Sequence, residues 1–322
     1  MHKIVLLYLL ILGYTGHSQS KTEVLFYNVE NLFDNKIDST RGYKEFNPGE
    51  KNNWDQFKYW KKINSLAKVI ASCSDSVPDF LGFAEIENQQ VVKDIVSHPL
   101  LFKHHFEVIH FESDDVRGID VAFAYKQNKF NLLSFKKIKI NKKRRPTRDI
   151  LMVTGVLLSS NDTLAFFVNH WPSRYGGKKK SEKSRILAAT TLLNAMKTHH
   201  QSHPNTKLIA TGDFNDTPSD SSLSLLTTDT LLNLVKPLMN KKKNNKGTLK
   251  YRHSWQVFDQ FLVSNNCSSF TISSAIFSPS WLLIKDKKYG GVKPFRTFQG
   301  PIYKGGISDH LPILLTLKTN PN

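Results

Sequence analysis

Five times along this 322-residue chain, an apolar run of strand length stops at a polar side chain of the kind that does chemistry. Val24–Val29 carries Asn28 near its end, and Phe80–Ile86 carries Glu85. Leu164–Asn169 runs into His170, and Lys207–Gly212 runs into Asp213 and Asn215. The last such run, Leu311–Leu317, is preceded directly by Asp309 and His310. Short apolar runs bounded by Gly, Pro, Asn and Asp read as buried strands. One such ending is noise. Five spread over the chain point to strand ends meeting on one rim, with chemistry on loops held by a rigid base.

The segments between these runs supply helices and hairpins. Trp54–Ala71 places Trp54, Phe57, Trp60, Ile63, Leu66, Ala67 and Ile70 at three- and four-residue spacing. That spacing predicts an amphipathic helix with its aromatic residues in the core and Lys58, Lys61, Lys62 and Lys68 off the apolar face. Val91–His98 reads as a short helix, Ile186, Ala189, Leu193 and Met196 mark the apolar face of another, and a fourth is expected near Leu223–Leu234. Phe106–Phe111, Ile119–Tyr125, Phe130–Ile140, Leu151–Leu158 and Val257–Val263 read as further strands, with a hairpin-like turn at Asn161-Asp162. Strand–helix alternation with many hairpin-like pairs predicts an α/β chain of two mixed sheets packed face to face, helices outside. With no linker and no internal repeat, residues 19–322 are expected to form a single domain.

Met1–Ser18 has the pattern of a secretory signal peptide: Lys3, the apolar run Ile4–Leu12, then small residues at Gly16 and Ser18. Cleavage is expected near Ser18, leaving a secreted or periplasmic protein. The formal net charge of +18 implies attraction to polyanions. The positive residues cluster in 141–148, 176–185, 241–250 and 285–293. Cys73 and Cys267 are either a disulfide, which export permits, or two independent buried thiols.

Each polar residue has a plain alternative. Asp213 and Asn215 in KLIATGDFNDTPSD, two apart, face the same side of an extended chain and suit a cation or a phosphate; the other reading is an Asx-rich turn with a solvated tip. Glu85 closing an apolar run needs a partner, solvent or a metal, and Glu87 competes with it. His170 is a site residue or a hydrogen-bonded structural histidine. Asp120 and Asp259 lie inside strands, where a carboxylate needs a partner, and Ser308 is a turn cap.

Taken together, NVENLF (28–33), the Glu85 strand, VNHWPSR (168–174), GDFND (212–216), FDQFLVS (258–264) and SDH (308–310) resemble the endonuclease/exonuclease/phosphatase superfamily, in family order and over nearly all of the chain after residue 18. Pancreatic-type deoxyribonucleases, abasic-site endonucleases, inositol polyphosphate 5-phosphatases and neutral sphingomyelinases belong to it. The resemblance implies a four-layer α/β/β/α sandwich and divalent-metal phosphoester hydrolysis. Carried over by motif, Asn28, Glu85 and Asp309 serve the metal. Asp213 and Asn215 bind phosphate and orient the attacking water. His310 is the general base with Asp259 behind it. His170 faces the scissile phosphate and is oriented by Asp120. Arg148, Asn169 and Trp171 are expected to contact substrate. Ala84 stands where the family commonly has Gln, and loop 35–53 is long, so substrate choice is where this chain departs from its relatives.

The chemistry agrees. A phosphoester gains negative charge as water attacks, and a cation with histidine donors stabilises that charge. Oxygen ligands suit Mg²⁺, Mn²⁺ or Ca²⁺. The expected activity is cleavage of DNA, with RNA as a further substrate, by a monomer that has no stable protein partner. The alternative is hydrolysis of a small or lipid phosphoester of the inositol phosphate, nucleotide or sphingomyelin type. The lack of an exposed amphipathic membrane helix in the sequence lowers the lipid option.

Overall fold

The computed structural model describes residues 21–37, 44–142, 144–227, 231–238 and 247–319. The expected signal segment, and most of the basic stretch 241–250, lie outside them. In chain order, β1 (Lys21–Leu32) leads to α1 (Gln56–Ser72), β2 (Phe80–Ile86), α2 (Gln89–Val96), β3 (Phe106–His110) and β4 (Asp120–Lys126). Next come β5 (Phe130–Ile138), β6 (Ile150–Leu157), β7 (Thr163–His170), α3 (Lys178–Ser202), β8 (Lys207–Asp213), α4 (Ser221–Thr227), β9 (Leu232–Val235) and β10 (Pro237–Leu238). A hairpin of β11 (Leu249–Tyr251) and β12 (Ser254–Gln256) precedes β13 (Asp259–Ser264) and β14 (Phe270–Ile276). Two more hairpins, β15 (Leu283–Lys285) with β16 (Val292–Pro294) and β17 (Phe298–Gln299) with β18 (Ile302–Tyr303), lead to β19 (Ile313–Thr319).

One sheet has the order β10-β14-β19-β1-β2-β4-β3 and the other β5-β6-β7-β8-β13-β9. The central strands, β1, β2, β7, β8 and β13, are near-continuous apolar runs because both their faces are covered. In β1, Val24 and Phe26 point to the opposite sheet and, with Phe80 and Phe123 of their own sheet, pack on Phe166 and Ile209 of the facing one. Leu25 and Tyr27 point the other way, under Ile63, Leu66 and Ile70 of α1. In β8, Ile209 faces the sheet–sheet interior, while Leu208 and Ala210 pack under Ala188, Leu192 and Met196 of α3. The result is a four-layer α/β/β/α sandwich, as the sequence predicts.

Strand direction then decides where the polar endings go. β7 and β8 are parallel with His170 beside Asp213, and β13 runs antiparallel so that its first residue, Asp259, also lies beside Asp213. In the facing sheet β1 and β2 are parallel, with Asn28 beside Ala84, and β19 is antiparallel to β1, with Ile313 beside Phe26. C-terminal ends of the parallel strands and N-terminal ends of their antiparallel neighbours therefore share one end of the sandwich. Both β1 and β2 finish in irregular register, with Glu30, Asn31 and Glu85 at φ of 54°, 48° and 65°. Bulged, strained ends of this kind re-aim side chains.

Several elements differ from expectation. The helix near Leu223–Leu234 stops at Thr227, and Leu232–Val235 is instead an edge strand on β13. Phe57 and Trp60 are 69% and 43% exposed, because the buried stripe of α1 runs through Tyr59, Ile63, Leu66, Ala67 and Ile70, and they fall beside it. Ile186 is half-buried, since α3 turns Ala188, Ala189, Leu192 and Met196 inward. Lys62, expected off the apolar face, is buried and donates to the Glu30 carbonyl and to Thr297 Oγ1. Cys73 and Cys267 are free buried thiols in different packing layers, so the disulfide alternative is set aside.

Candidate active site

At the shared end, His310 is buried, with Nδ1 2.7 Å from Asp259 Oδ2 and Nε2 3.8 Å from Asp213 Oδ2. A short turn fixes it: the His310 N–H donates to Ser308 Oγ, which donates to the Asn28 carbonyl. Asp213 Oδ2 accepts from Asn28 Nδ2 at 3.0 Å, a bond between the two sheets, and from Asn215 Nδ2 at 3.3 Å. Asp213 Oδ1 accepts the Asn215 N–H at 2.9 Å, so the stretch is an Asx turn, but its tip is buried and not solvated. Asn215 takes φ of 51° there, and its amide also donates to the Trp171 carbonyl.

His170 Nε2 lies 3.6 Å from Asp213 Oδ2 and 3.8 Å from Glu85 Oε1. Glu85 Oε2 accepts the Asn31 N–H. Glu87, its competitor, accepts the Asp34 N–H at 2.5 Å. Asp309 is half-exposed and pairs with Arg296 Nη2 at 3.0 Å. Thus Asn28, Glu85, His170, Asp213, Asn215, Asp259, Asp309 and His310, drawn from six separate stretches of chain, form one constellation.

The two histidines are electrostatic opposites. Burial works against charge on His310, but the Asp259 and Asp213 carboxylates outweigh it and hold the imidazole well above its usual pKa. His170 is pushed well below, by burial first and then by the Arg148 and Arg117 charges. Burial raises Asp213, against the pull of His310. Environments that push titratable neighbours apart separate acid–base roles from hydrogen-bonding ones.

The oxygen donors of Glu85, Asp309 and Asn28 fit a hard divalent cation. Asp213, Asp259 and His310 also offer ligand atoms within 4.8 Å of one another. That trio is a poorer cation site, because an ion between Asp259 and His310 would break their 2.7 Å hydrogen bond.

Four expected residues have other duties. Asp120 does not orient His170. It accepts the Ser113 N–H and lies 3.9 Å from His110, while His170 Nδ1 has no partner among the described residues. Trp171 is fully buried against Phe214, donates to Asn169 Oδ1 and cannot touch substrate with its ring. Asn169 is likewise buried, its amide bonded to the Phe167 and Thr211 carbonyls. Arg148 is a buried strut between Asp115 and the Trp171 carbonyl, not a phosphate arm. Sequence reasoning missed Arg296, which donates through Nε and Nη2 to buried Glu30. It also missed Arg174, which ties the Asn215 carbonyl to Asp216. Arg296 comes two residues after the short β16 and Arg174 four residues after β7, each past the first polar residue of a strand end, which is why the strand-end pattern does not reveal them.

A family model described as the endonuclease/exonuclease/phosphatase family matches residues 23–319. No curated protein sequence matches the chain. Among solved structures, a Bacteroides thetaiotaomicron endonuclease/exonuclease/phosphatase family protein is 18% identical, with TM-score 0.62, over 95% of this chain and 100% of that one. A Bacteroides thetaiotaomicron mannosyl-6-phosphatase is 19% identical, with TM-score 0.60, over 92% and 99%. D. rerio TDP2, complexed with a single-strand DNA product, is 15% identical, with TM-score 0.60, over 93% and 100%. At these identities the likeness is one of fold.

Proposed function

This chain belongs to the endonuclease/exonuclease/phosphatase family, a family of phosphoester-hydrolysing and typically metal-dependent enzymes, and from that premise we propose that it cleaves phosphodiester bonds of nucleic acid, DNA above all. The observation that carries the chemistry is the Asp259–His310 pair aimed at Asp213, with His170 and Glu85 within 4 Å of the same carboxylate or of each other. A divalent cation held by Glu85, Asn28 and Asp309, with Mg²⁺ the first choice, supplies neutralisation of phosphate charge. Asp259 accepts the Nδ1 proton of His310 and keeps Nε2 facing Asp213, so that the imidazole, once its Nε2 proton has left, takes the proton of the attacking water there. Asp213 and Asn215 orient that water. Neutral His170 donates from Nε2 to a phosphate oxygen and stabilises the added charge without giving up its proton.

Nucleic acid is favoured over small esters by exposed basic residues along the chain on either side of His170, Arg144 and Arg145 before it and Lys178, Lys179 and Lys180 after it, with Tyr175 84% exposed. D. rerio TDP2, solved with a single-strand DNA product, lends support by fold. A small phosphoester is the second reading, favoured by a small polar cavity beside Arg296. Supercoiled plasmid and bis(p-nitrophenyl) phosphate, each assayed with Mg²⁺, Mn²⁺, Ca²⁺ and EDTA, test the proposal. Cleavage of both with metal and of neither with EDTA is expected. Intact plasmid beside hydrolysed aryl ester leaves only the second reading. Export, with removal of the first 18 residues, and a single monomeric domain from residue 19 belong to the same proposal. N-terminal sequencing of the mature protein and its mass in solution test them.

A further inference from the structure

A cavity of about 260 Å³ opens between the strained end of β1 and the segment 296–301, against the constellation described above. Asn31, whose N–H holds Glu85, and Arg296, whose Nη2 holds Asp309, form the wall shared with that constellation. Glu45, Lys51 and Asn52 line the far side. The volume lies below the roughly 300–1,000 Å³ of clefts for drug-sized ligands, which leaves room for one ring and its substituents, not a duplex.

The lining selects the kind of ring. Asn52 is only 7% exposed, yet its side-chain amide makes no hydrogen bond among the described residues. A carboxamide that lines the cavity without an internal partner offers an acceptor and two donors to a bound hydroxyl. Glu45 Oε1 and Lys51 Nζ, 2.8 Å apart, present an acceptor and donors beside it. Phe46 and Phe298 close the floor with ring centroids 5.7 Å apart and edge to face, both nearly buried. Being nearly buried, the two rings offer little face for a base to stack on, and stacking is what base recognition needs. Carbon–hydrogen edges below and carboxylate, ammonium and carboxamide groups around them match a ring that is apolar on its face and hydroxylated at its edge. Arg296, 41% exposed in its side chain and unbonded at Nη1 among the described residues, stands on the side where the ester phosphate enters.

We propose that this cavity is the subsite for one hydroxylated sugar unit esterified to the scissile phosphate, with Asn52, Glu45 and Lys51 on its hydroxyls and Arg296 at its phosphate. The inference rests on the phosphoester-hydrolase reading of the neighbouring constellation and names the substrate group that it accepts. The sugar could arrive as a free sugar phosphate or as the pentose of a nucleotide.

The test uses the metal-loaded protein with three esters: a hexose 6-phosphate, a 5′-mononucleotide, and p-nitrophenyl phosphate, which has no sugar. Asn52→Leu removes the unpartnered amide. Lys51→Ala alters an exposed side chain and keeps the test open should the first variant fail to fold. Each is expected to raise KM for one of the two sugar esters about tenfold, the loss of a hydrogen bond or two, and to leave p-nitrophenyl phosphate within twofold. The ester that responds identifies the source of the sugar. Unchanged KM for both sugar esters in both variants, or equal losses on all three substrates, overturns the subsite. Wild-type protein that hydrolyses the aryl ester but neither sugar ester also overturns it, and leaves the phosphoester reading standing. Wild-type protein inert towards all three and towards bis(p-nitrophenyl) phosphate defeats the parent reading, and the subsite with it.

Discussion

His310 depends on a neighbour that never meets substrate. Its Nδ1 is committed to Asp259, whose other oxygen has no partner among the described residues, so the carboxylate is spent on the imidazole. Asp259→Asn would keep the shape, remove a charge that raises the His310 pKa, and allow the wrong tautomer. We expect kcat to fall by about 10³-fold or more for Asp259→Asn and for His310→Ala, with unchanged circular dichroism. Activity retained within tenfold would remove His310 from the role of base. Asp120 makes the converse case. Burial raises its pKa to about 7 and lowers that of neighbouring His110 to about 4. Folded Asp120 keeps a proton that the unfolded chain has lost, so its share of stability is full at low pH and disappears as pH rises through 7. Folded His110 refuses a proton that the unfolded chain takes, so its share grows as pH rises from 4 to its ordinary value. The two slopes oppose. Asp120→Asn should therefore make stability climb more steeply between pH 4 and 7, by on the order of a few kcal/mol, and leave kcat nearly unchanged. Denaturant midpoints across that range would read it, and a large loss of kcat would restore Asp120 to the site. At this scale sequence was a partial guide. Asn28, Glu85, Asp213, Asn215, Asp309 and His310 were legible because each marks a strand end, whereas Asp120, Asn169 and Trp171 share the look of site residues, and only packing turns them inward.

The elements supply precision through close backbone approach. Gly212 in β8 lies so near β7 that an added Cβ would sit 2.3 Å from the Asn169 carbonyl oxygen, and that backbone cannot yield cheaply. Gly212→Ala should cost about 1–3 kcal/mol or more and pull Asp213 off its line with His170 and His310. Both thermal midpoint and kcat are expected to fall together, and an active variant of wild-type stability would deny that this register aims the site. After β8 the chain is gripped rather than left loose. Arg174 donates to the Asn215 carbonyl and Asp216, while Arg185, fully buried in α3, reaches Asp216 Oδ2 at 2.6 Å. Replacing Arg185 by Met would leave Asp216 buried with less compensation, a change that typically costs about 3–5 kcal/mol. The layers and most strands could be read from apolar periodicity. The ends of helices could not where edge pairing intervenes: Leu232–Val235 looks helical by composition, but its backbone completes the sheet beside β13. Nor could the bulges at Glu30, Asn31 and Glu85, since positive φ at a non-glycine residue is imposed by surrounding bonds and not by the residue itself.

Over the whole molecule, charge is the feature that separates the two substrate readings. The formal excess of +18 is not spread evenly in its effect. Lys250 and Lys293 are drawn to Asp286, and Lys207 to Asp162, so part of the basic inventory is answered internally. Lys142, Arg144 and Arg145 precede the Arg148 strut that reaches the Trp171 carbonyl, and Lys179 and Lys180 follow the exposed loop beyond His170. On the nucleic-acid reading these two groups meet the phosphates that run past the one being cut. Each phosphate neutralised releases counterions, so six or more contacts would weaken binding by roughly 10³-fold between 50 and 200 mM salt. Hydrolysis of bis(p-nitrophenyl) phosphate engages the constellation alone and should change little over that range. Changing Lys142, Arg144 and Arg145 together to alanine should flatten the plasmid salt slope by about three, one for each lost phosphate contact. The same triple change should not alter aryl-ester turnover, because none of the three touches the constellation. Plasmid cleavage as insensitive to salt as aryl-ester cleavage would mean that these side chains meet no phosphate backbone, and the preference would pass to the small ester seated against Arg296.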